Sequence, residues 1–295
     1  SNLVVVIGGW VWGGPLSTTA WDGRTLYDLY KEAYTPWEWH PGLKRAAEEC
    51  GIELFSTPFD ETAVDFLEEL GVARHKVASF ELVDIPLLRK IGSTRKPVIM
   101  STGMASEKEI GEAVDALRTA GCRELTLLKC TSSYPAETGD ANLLTIPDME
   151  KKFGCPVGIS DHTVGIAVPV ASVGLGICAI EKHFTLSRAD GGPDSSFSLE
   201  PAEFKEMADA VRRAEQAMGS ICYGGTVAET KTKIFRRSLF AVKDIKAGEI
   251  FTHENIRSIR PGYGLPPREL DNIIGKPAAA NIVRGTPLAF NLVQG

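Results

Sequence analysis

The sequence lacks several features that would assign it to a familiar class of protein. No stretch reaches the roughly 18 consecutive apolar residues of a membrane-spanning helix, so we expect a soluble protein without a membrane partner. The 32 Lys and Arg residues against 38 Asp and Glu give a net charge of −6, which excludes a general nucleic-acid binder. Any phosphate-binding site must therefore be a local cluster of hydrogen-bond donors.

Paired cysteines and a nucleotide-binding glycine motif are also missing. None of the six cysteines belongs to a Cys-x-x-Cys pair. In a chain long enough to bury its own core, such scattered residues predict reduced, mostly buried thiols in a cytoplasmic protein. No Gly-x-Gly-x-x-Gly motif follows the first apolar segment, which weakens a dinucleotide-binding interpretation.

From about residue 40 onward, short apolar segments alternate with amphipathic helices. Asp60, Pro201 and the pair Ser106 and Glu109 are helix-start signals, each followed by apolar residues at helical spacing. Between the helices, six apolar runs predict buried parallel strands: 52–58, 75–81, 97–103, 125–135, 155–163 and 179–186. Six consecutive βα units favour a TIM-type (β/α)₈ barrel over an open doubly wound sheet.

The last sixty residues have a different character. Short alternating strands and the Lys246-Ala247-Gly248 turn predict a small β-rich module. The Gly224-Gly225 pair interrupts the earlier pattern, so we place the boundary after residue 225. The predicted domains are a barrel at 1–225 and the small module at 226–295.

Polar residues gather where the predicted strands end, and this distribution predicts an enzyme. Barrel active sites are built at the C-terminal ends of the strands. Some of the Ser and Thr residues would only cap the next helix, but capping does not account for Lys, His, Glu and Tyr at the same level. His162 and His183 end neighbouring strands, where two imidazoles could share one divalent cation or simply form structural hydrogen bonds.

Other candidates allow two interpretations on sequence alone. Lys76 and Lys129 precede hydroxyl residues, a combination that suits phosphate or carboxylate, although strand alternation turns Lys129 away from the side of Cys130. Glu81 and Asp194 are candidate carboxylates for acid–base work, with Asp194 in a loop that serves as a lid or as a plain surface turn. The remaining residues are assigned as follows: Arg260 is a rigidly presented guanidinium or a surface ion-pair partner, His75 is structural, and Cys130 is a buried thiol beside the site.

An ordered series of motifs resembles the sialic acid synthase family. The segments are STPFD (56–60), KVASFE (76–81), PVIMSTGM (97–104), LLKCTSSYP (127–135), GISDHT (158–163), IEKHFTL (180–186), GGPDSSFSLEP (191–201) and RRSLF…IRPGYG (236–264). The segments 21–26 and 34–40 are similar to the branch that acts on diacetamido-trideoxyhexoses, rather than to the N-acetylneuraminate branch. The resemblance covers about residues 21–295.

The resemblance implies a condensation of phosphoenolpyruvate with an amino-sugar aldehyde, giving a nine-carbon α-keto acid and phosphate. It implies that His162 and His183 hold a divalent metal, for which Mn²⁺ is the first candidate and Mg²⁺ or Co²⁺ are alternatives. The implied phosphoenolpyruvate site consists of Lys76, Ser79, Ser101, Ser132 and Tyr134. The residues implied to face the sugar are Thr57, Glu81 and Asp194; Lys76, Glu81 and Asp194 are the candidate catalytic residues.

The C-terminal module resembles the antifreeze-like SAF domain. In the family this domain covers the partner's barrel in a domain-swapped homodimer, so Arg260 is expected to contact the neighbour's sugar. The family's first two βα units, with an Ala-Glu-Ile…Asn-His motif and a Lys-Phe-Gln motif, have no counterpart here. The alternatives are therefore a synthase for N-acetylneuraminate or legionaminate, a pyruvate-dependent aldolase, or a truncated homologue that binds sugar without turnover.

Overall fold

A computed structural model describes residues 35–192 and 194–295, and their contacts divide the chain into two compact units. The first unit extends to Gly219, and the second comprises Ser220–Gly295. The segment 21–26, on which part of the family resemblance depends, lies outside the described residues. No helix within the described ranges is long and apolar enough to cross a membrane.

The first unit is a series of βα repeats around a parallel sheet. Its strands are β1 (His75–Val77), β2 (Val98–Ser101), β3 (Leu125–Cys130), β4 (Val157–Asp161) and β5 (Ile180–Lys182). Its helices are α1 (His40–Glu49), α2 (Glu61–Leu70), α3 (Ile85–Ser93), α4 (Glu107–Ala120), α5 (Thr145–Phe153), α6 (Ala167–Ser172) and α7 (Pro201–Met218). The strands pair in chain order, β1 to β5, and all four pairings are parallel. This order confirms the predicted βα alternation of a TIM-type fold and brings every strand's C-terminal end to one edge.

The helix-start signals act as the sequence predicts. The Asp60 carboxylate accepts a hydrogen bond of 2.8 Å from the Ala63 amide at the start of α2, which satisfies one otherwise unpaired donor. Gly71 ends that helix at φ 71°, a left-handed conformation that glycine adopts at little cost. Ser106 and Glu109 form a reciprocal capping box at α4.

The core of the first unit lies between the sheet and the helix layer. Leu88 and Ile91 of α3 pack with Leu117 of α4 against Met100 and Leu127 of the sheet, and all five side chains are fully buried. Burial of one such side chain contributes about 1.5–3 kcal/mol. This core fixes the strand ends that carry the polar residues.

Two expectations from the sequence are wrong in detail. The run 52–58 forms no strand, because a single backbone hydrogen bond, from the Lys76 amide to the Ser56 carbonyl, joins it to β1 within the described residues. A strand needs a repeated ladder of such bonds. The cysteines are not mostly buried either: Cys122, Cys130 and Cys155 are buried, and Cys50, Cys178 and Cys222 are exposed.

The second unit is small and rich in β structure, as predicted. Its elements are β6 (Ser238–Ala241), β7 (Ile256–Ile259), α8 (Val227–Thr232) and α9 (Leu270–Ile273). Strands β6 and β7 pair antiparallel, and isolated bridges such as Ile245 to Ile282 extend the pairing. Its own core, which includes Leu239, Phe251 and Ile256, is fully buried.

Candidate active site

His162 and His183 follow β4 and β5 directly, and the parallel pairing brings their rings together. The ring centroids are 5.1 Å apart. His162 Nδ1 lies 2.9 Å from the Thr131 carbonyl oxygen, which can only accept, so Nδ1 carries the proton and Nε2 keeps its lone pair. His183 Nδ1 lies 3.5 Å from Oδ2 of Asp194, a carboxylate that can orient the ring in the same way.

The surroundings keep His183 uncharged. Burial, together with the nearby charges of His162 and Lys182, lowers the pKa of His183 to about 3. A neutral imidazole is the form that binds metal ions. Burial raises the pKa of the Asp194 carboxyl, and His162 partly offsets that increase.

Aromatic rings enclose this histidine pair. The Tyr134 ring is 4.3 Å from that of His162 and 5.7 Å from that of Phe197, measured between centroids. Phe197 lies 5.1 Å from His183. Burial is the main cause that raises the pKa of the Tyr134 phenol, so it stays protonated and can donate a hydrogen bond.

A buried cation lies at the β1 side of the same edge. Lys76 is 1% exposed, and its Nζ donates to Ser101 Oγ at 2.7 Å and to the Val77 carbonyl at 2.9 Å. Glu181 Oε2 is 3.6 Å from the same Nζ, and Glu181 Oε1 accepts a bond of 2.7 Å from Ser160 Oγ. An ammonium group held in this way is a fixed donor for an anionic ligand.

Gly103 holds two predicted hydroxyls close together. Its amide donates to Ser79 Oγ at 3.0 Å. A Cβ at position 103 would lie 2.0 Å from Ser132 Oγ and 2.8 Å from Ser79 Oγ, so only glycine leaves room for both hydroxyls. Ser132 Oγ is in turn 3.7 Å from Cys130 Sγ, which lies 3.9 Å from His162 Nδ1. An unbroken series of contacts therefore leads from the hydroxyl pair to the histidine pair.

Three buried oxygens at this edge have no hydrogen-bond partner among the described residues. They belong to Thr57, Glu81 and Glu181. Buried polar atoms are nearly always paired, so these oxygens mark a place where a ligand can supply the missing partner. Burial raises the pKa of Glu81 against the opposite effect of Lys76.

The structure separates the other candidates from this cluster. Lys129 donates to Thr131 Oγ1 at 2.8 Å on the side of β3 opposite Cys130, as alternation predicts. His75 is fully buried at the start of β1, where Nε2 pairs with Glu68 at 2.9 Å, as expected of a structural residue. Cys130 is buried, and contact with His162 outweighs the effect of burial and lowers the pKa of its thiol to about 7.

Arg260 belongs to the second unit. Within that unit it lines a cavity of about 690 Å³ together with Lys233, Arg236, Arg237 and Glu229. Four cations against one carboxylate give this cavity a positive character, which suits an anionic or hydroxyl-rich ligand.

Sequence reasoning missed two residues that the structure places at the edge. Glu181 precedes Lys182, and neither its pairing with Ser160 nor its approach to Lys76 is visible until the strand register is known. Gly103 stood in a polar cluster, but a contact that depends on a missing side chain leaves no pattern. Only the strand-end position of both residues could have drawn attention to them.

The residues present fit a divalent cation held by two imidazoles. Both rings have Nδ1 near an oxygen acceptor, which directs Nε2 toward a ligand. Within the described ranges, no three side chains of His, Cys, Asp or Glu converge on one ion site. Substrate and water would therefore complete the coordination, as in sites that keep open positions for chemistry.

Comparisons with known proteins agree with this geometry. Pseudaminic acid synthase of Campylobacter jejuni is 43% identical over 268 residues, which cover 91% of this chain and 78% of the relative. N,N'-diacetyllegionaminic acid synthase of the same species is 40% identical over 90% of this chain and 80% of the relative. The crystal structure of N-acetylneuraminic acid (sialic acid) synthetase from Leptospira borgpetersenii, in complex with citrate, superposes with a TM-score of 0.65 and 33% identity. It covers 70% of this chain and 72% of that one.

Family patterns match both parts of the sequence. The NeuB family pattern matches residues 15–223, and the SAF domain pattern matches residues 236–294. The likeness to solved structures also supports the TIM-type α/β fold that the strand order indicates. The chain therefore belongs to the NeuB family and ends in a SAF domain.

Proposed function

We propose that this chain is a pseudaminic acid synthase, which condenses phosphoenolpyruvate with a 2,4-diacetamido-2,4,6-trideoxyhexose. The observation that carries the proposal is the contact series from Ser79 through Gly103 and Ser132 to His162, since it joins an anion site to a metal site at one strand edge. The relative from Campylobacter jejuni with that name is similar over most of this chain.

The anion site is proposed to hold phosphoenolpyruvate. The Lys76 ammonium and the hydroxyls of Ser79, Ser101 and Ser132 supply donors for its phosphate and carboxylate oxygens. The site excludes water through burial of Lys76 and Ser101, which strengthens each charged contact. The protonated Tyr134 phenol supplies a further donor.

His162 and His183 are proposed to hold a divalent cation, for which Mn²⁺ is the first candidate and Mg²⁺ or Co²⁺ are alternatives. When bound, such an ion polarises the carbonyl of the open-chain sugar as a Lewis acid. Thr57, Glu81 and Asp194 are proposed to bind the sugar hydroxyls and amides, and the unpaired oxygens of Thr57 and Glu81 support this placement. Glu81, whose pKa is raised, can carry a proton to the developing alkoxide.

The proposed reaction forms one carbon–carbon bond and releases phosphate. Carbon 3 of phosphoenolpyruvate attacks the sugar carbonyl, and water adds at carbon 2. The tetrahedral adduct then loses phosphate by cleavage of the carbon–oxygen bond, which leaves the α-keto acid. Lys76 keeps the phosphate oxygens neutralised through this step, and Asp194 holds the His183 ring in place.

We further propose that residues 1–225 form the barrel and 226–295 the SAF domain of a domain-swapped, cytoplasmic homodimer. In such a dimer Arg260 would contact the sugar bound to the partner. The positive cavity around Arg260 supports a ligand-binding role for the domain.

Phosphate release tests the proposed function and its substrate. We expect release from phosphoenolpyruvate with Mn²⁺ only when a 2,4-diacetamido-2,4,6-trideoxyhexose is present. Release with N-acetylmannosamine instead would assign an N-acetylneuraminate synthase, and release with the legionaminate precursor would assign that branch. A protein that binds Mn²⁺ and sugar but releases no phosphate would contradict synthase activity.

A further inference from the structure

A buried ion pair lies directly behind the two histidines. Lys182 Nζ is 2.6 Å from Asp161 Oδ2, and the two side chains are 1% and 2% exposed. The two residues are direct partners in the register of β4 and β5. Each immediately precedes one of the histidines in sequence, so the pair joins the two backbone segments that carry the imidazoles.

Thr163 makes this pair a closed network. The Asp161 carboxylate accepts from the Thr163 amide at 3.0 Å and from Thr163 Oγ1 at 2.9 Å. Lys182 Nζ also donates to the Thr163 carbonyl oxygen. Asp161 and Thr163 flank His162, so the network fixes the backbone on both sides of that ring.

Strand alternation separates this network from the substrate-facing side. Ser160 and Glu181, which pair with each other and approach Lys76, occupy the positions before Asp161 and Lys182. Successive side chains on a strand point to opposite faces, so Asp161 and Lys182 point away from the candidate ligand site. They can affect the reaction only through the residues beside them.

Stability alone is a poor reason to bury such a pair. The desolvation of two charges offsets most of their attraction, and well-packed apolar residues often serve stability equally well. The attested benefit of buried charges is that they fix one arrangement against its alternatives. Here the arrangement they fix is the spacing of two imidazoles.

We propose that Asp161 and Lys182 are positioning residues that hold His162 and His183 at the spacing a divalent cation requires. This inference rests on the metal site of the proposed function. It assigns the pair a role in metal affinity that is separate from its role in folding.

A charge-free double variant, Asp161→Asn with Lys182→Met, tests the proposal. The introduced asparagine side chain is isosteric with aspartate and keeps an acceptor for Thr163, while no unpaired charge remains buried. We expect the metal-free protein to keep its thermal midpoint within a few degrees and the Kd for Mn²⁺ to rise about 10–100-fold. Free Mn²⁺ measured by electron paramagnetic resonance, without substrates, gives the Kd independently of activity.

Controls separate this inference from the metal assignment itself. Lys90→Met removes an exposed ion pair with Asp65 and should leave the Kd unchanged. If the double variant does not fold, Thr163→Val keeps both charges, removes one hydroxyl of the network, and is expected to raise the Kd severalfold. A folded variant of either kind with the wild-type Kd would overturn the positioning role, whereas a wild-type protein that binds no Mn²⁺ would overturn the metal site.

Discussion

Replacing Gly103 by alanine should damage the candidate phosphoenolpyruvate site without unfolding the protein. The new Cβ would lie 2.0 Å from Ser132 Oγ, 3.1 Å from Ser132 Cβ and 2.8 Å from Ser79 Oγ. Ordinary contacts of a Cβ begin near 3.4 Å, so both hydroxyls must move by several tenths of an ångström or more. Gly103 has no positive φ, so the backbone itself tolerates alanine.

The magnitude follows from the bonds that are lost. A hydrogen bond to a charged group contributes about 1.5–3 kcal/mol, so misplacing two hydroxyls costs at least about 3 kcal/mol. Because about 1.4 kcal/mol corresponds to a factor of ten, kcat/KM for phosphoenolpyruvate should fall about 100-fold or more. Steady-state phosphate release at varied phosphoenolpyruvate measures this directly.

Two further variants make the test of Gly103 decisive. Gly111→Ala is the matched control: it lies within α4, its nearest neighbour is Phe153 at 4.0 Å, and we expect full activity and about 1 kcal/mol of added stability. In a Ser132→Ala background the worst clash is absent, so Gly103→Ala should cost much less than it does alone. Equal costs in both backgrounds, or an unchanged kcat/KM for the single variant, would refute the reasoning.

Three other predictions address separate residues. His162→Ala should abolish Mn²⁺ binding measured by calorimetry, whereas the exposed His253→Ala should not. Arg260→Ala should raise KM for the sugar far more than KM for phosphoenolpyruvate, with the exposed Arg268→Ala as control. Because burial raises the pKa of Glu81, ionisation opposes folding as pH rises, so Glu81→Gln should raise Tm at pH 8 but hardly at pH 4, where both side chains are uncharged.

Each of these has an outcome that would contradict it. Stoichiometric Mn²⁺ binding by the His162 variant would remove that residue from the metal site. Equal changes in both KM values would refute the placement of Arg260. A gain in Tm for the Glu81 variant that is the same at both pH values would show that ionisation of this carboxyl is not the cause.

Helix boundaries could be predicted because their signals are local. Asp60 and the Ser106–Glu109 pair cap their helices through contacts within four residues, so the sequence itself carries the geometry. The strand-end positions of His162 and His183 were equally accessible, since parallel strands share one edge. Their proximity follows from the order of the strands and is confirmed by the 5.1 Å separation of their rings.

Contacts that depend on register and side-chain direction could not be predicted. The pairing of Asp161 with Lys182 requires knowing which residues of β4 and β5 are opposite each other. The failure of 52–58 to form a strand depends on hydrogen bonds with distant segments, which composition does not reveal. The role of Gly103 comes from the space it leaves between two serines, and no sequence pattern records that space.

The fate of one oxygen atom tests the central claim most directly. Phosphoenolpyruvate labelled with ¹⁸O in the bridge between carbon 2 and phosphorus can be turned over with Mn²⁺ and the diacetamido-trideoxyhexose, and both products analysed by mass spectrometry. Cleavage of the carbon–oxygen bond predicts the label in phosphate, together with a nine-carbon acid. Label retained in the organic product, or release of pyruvate in place of that acid, would contradict the proposed condensation.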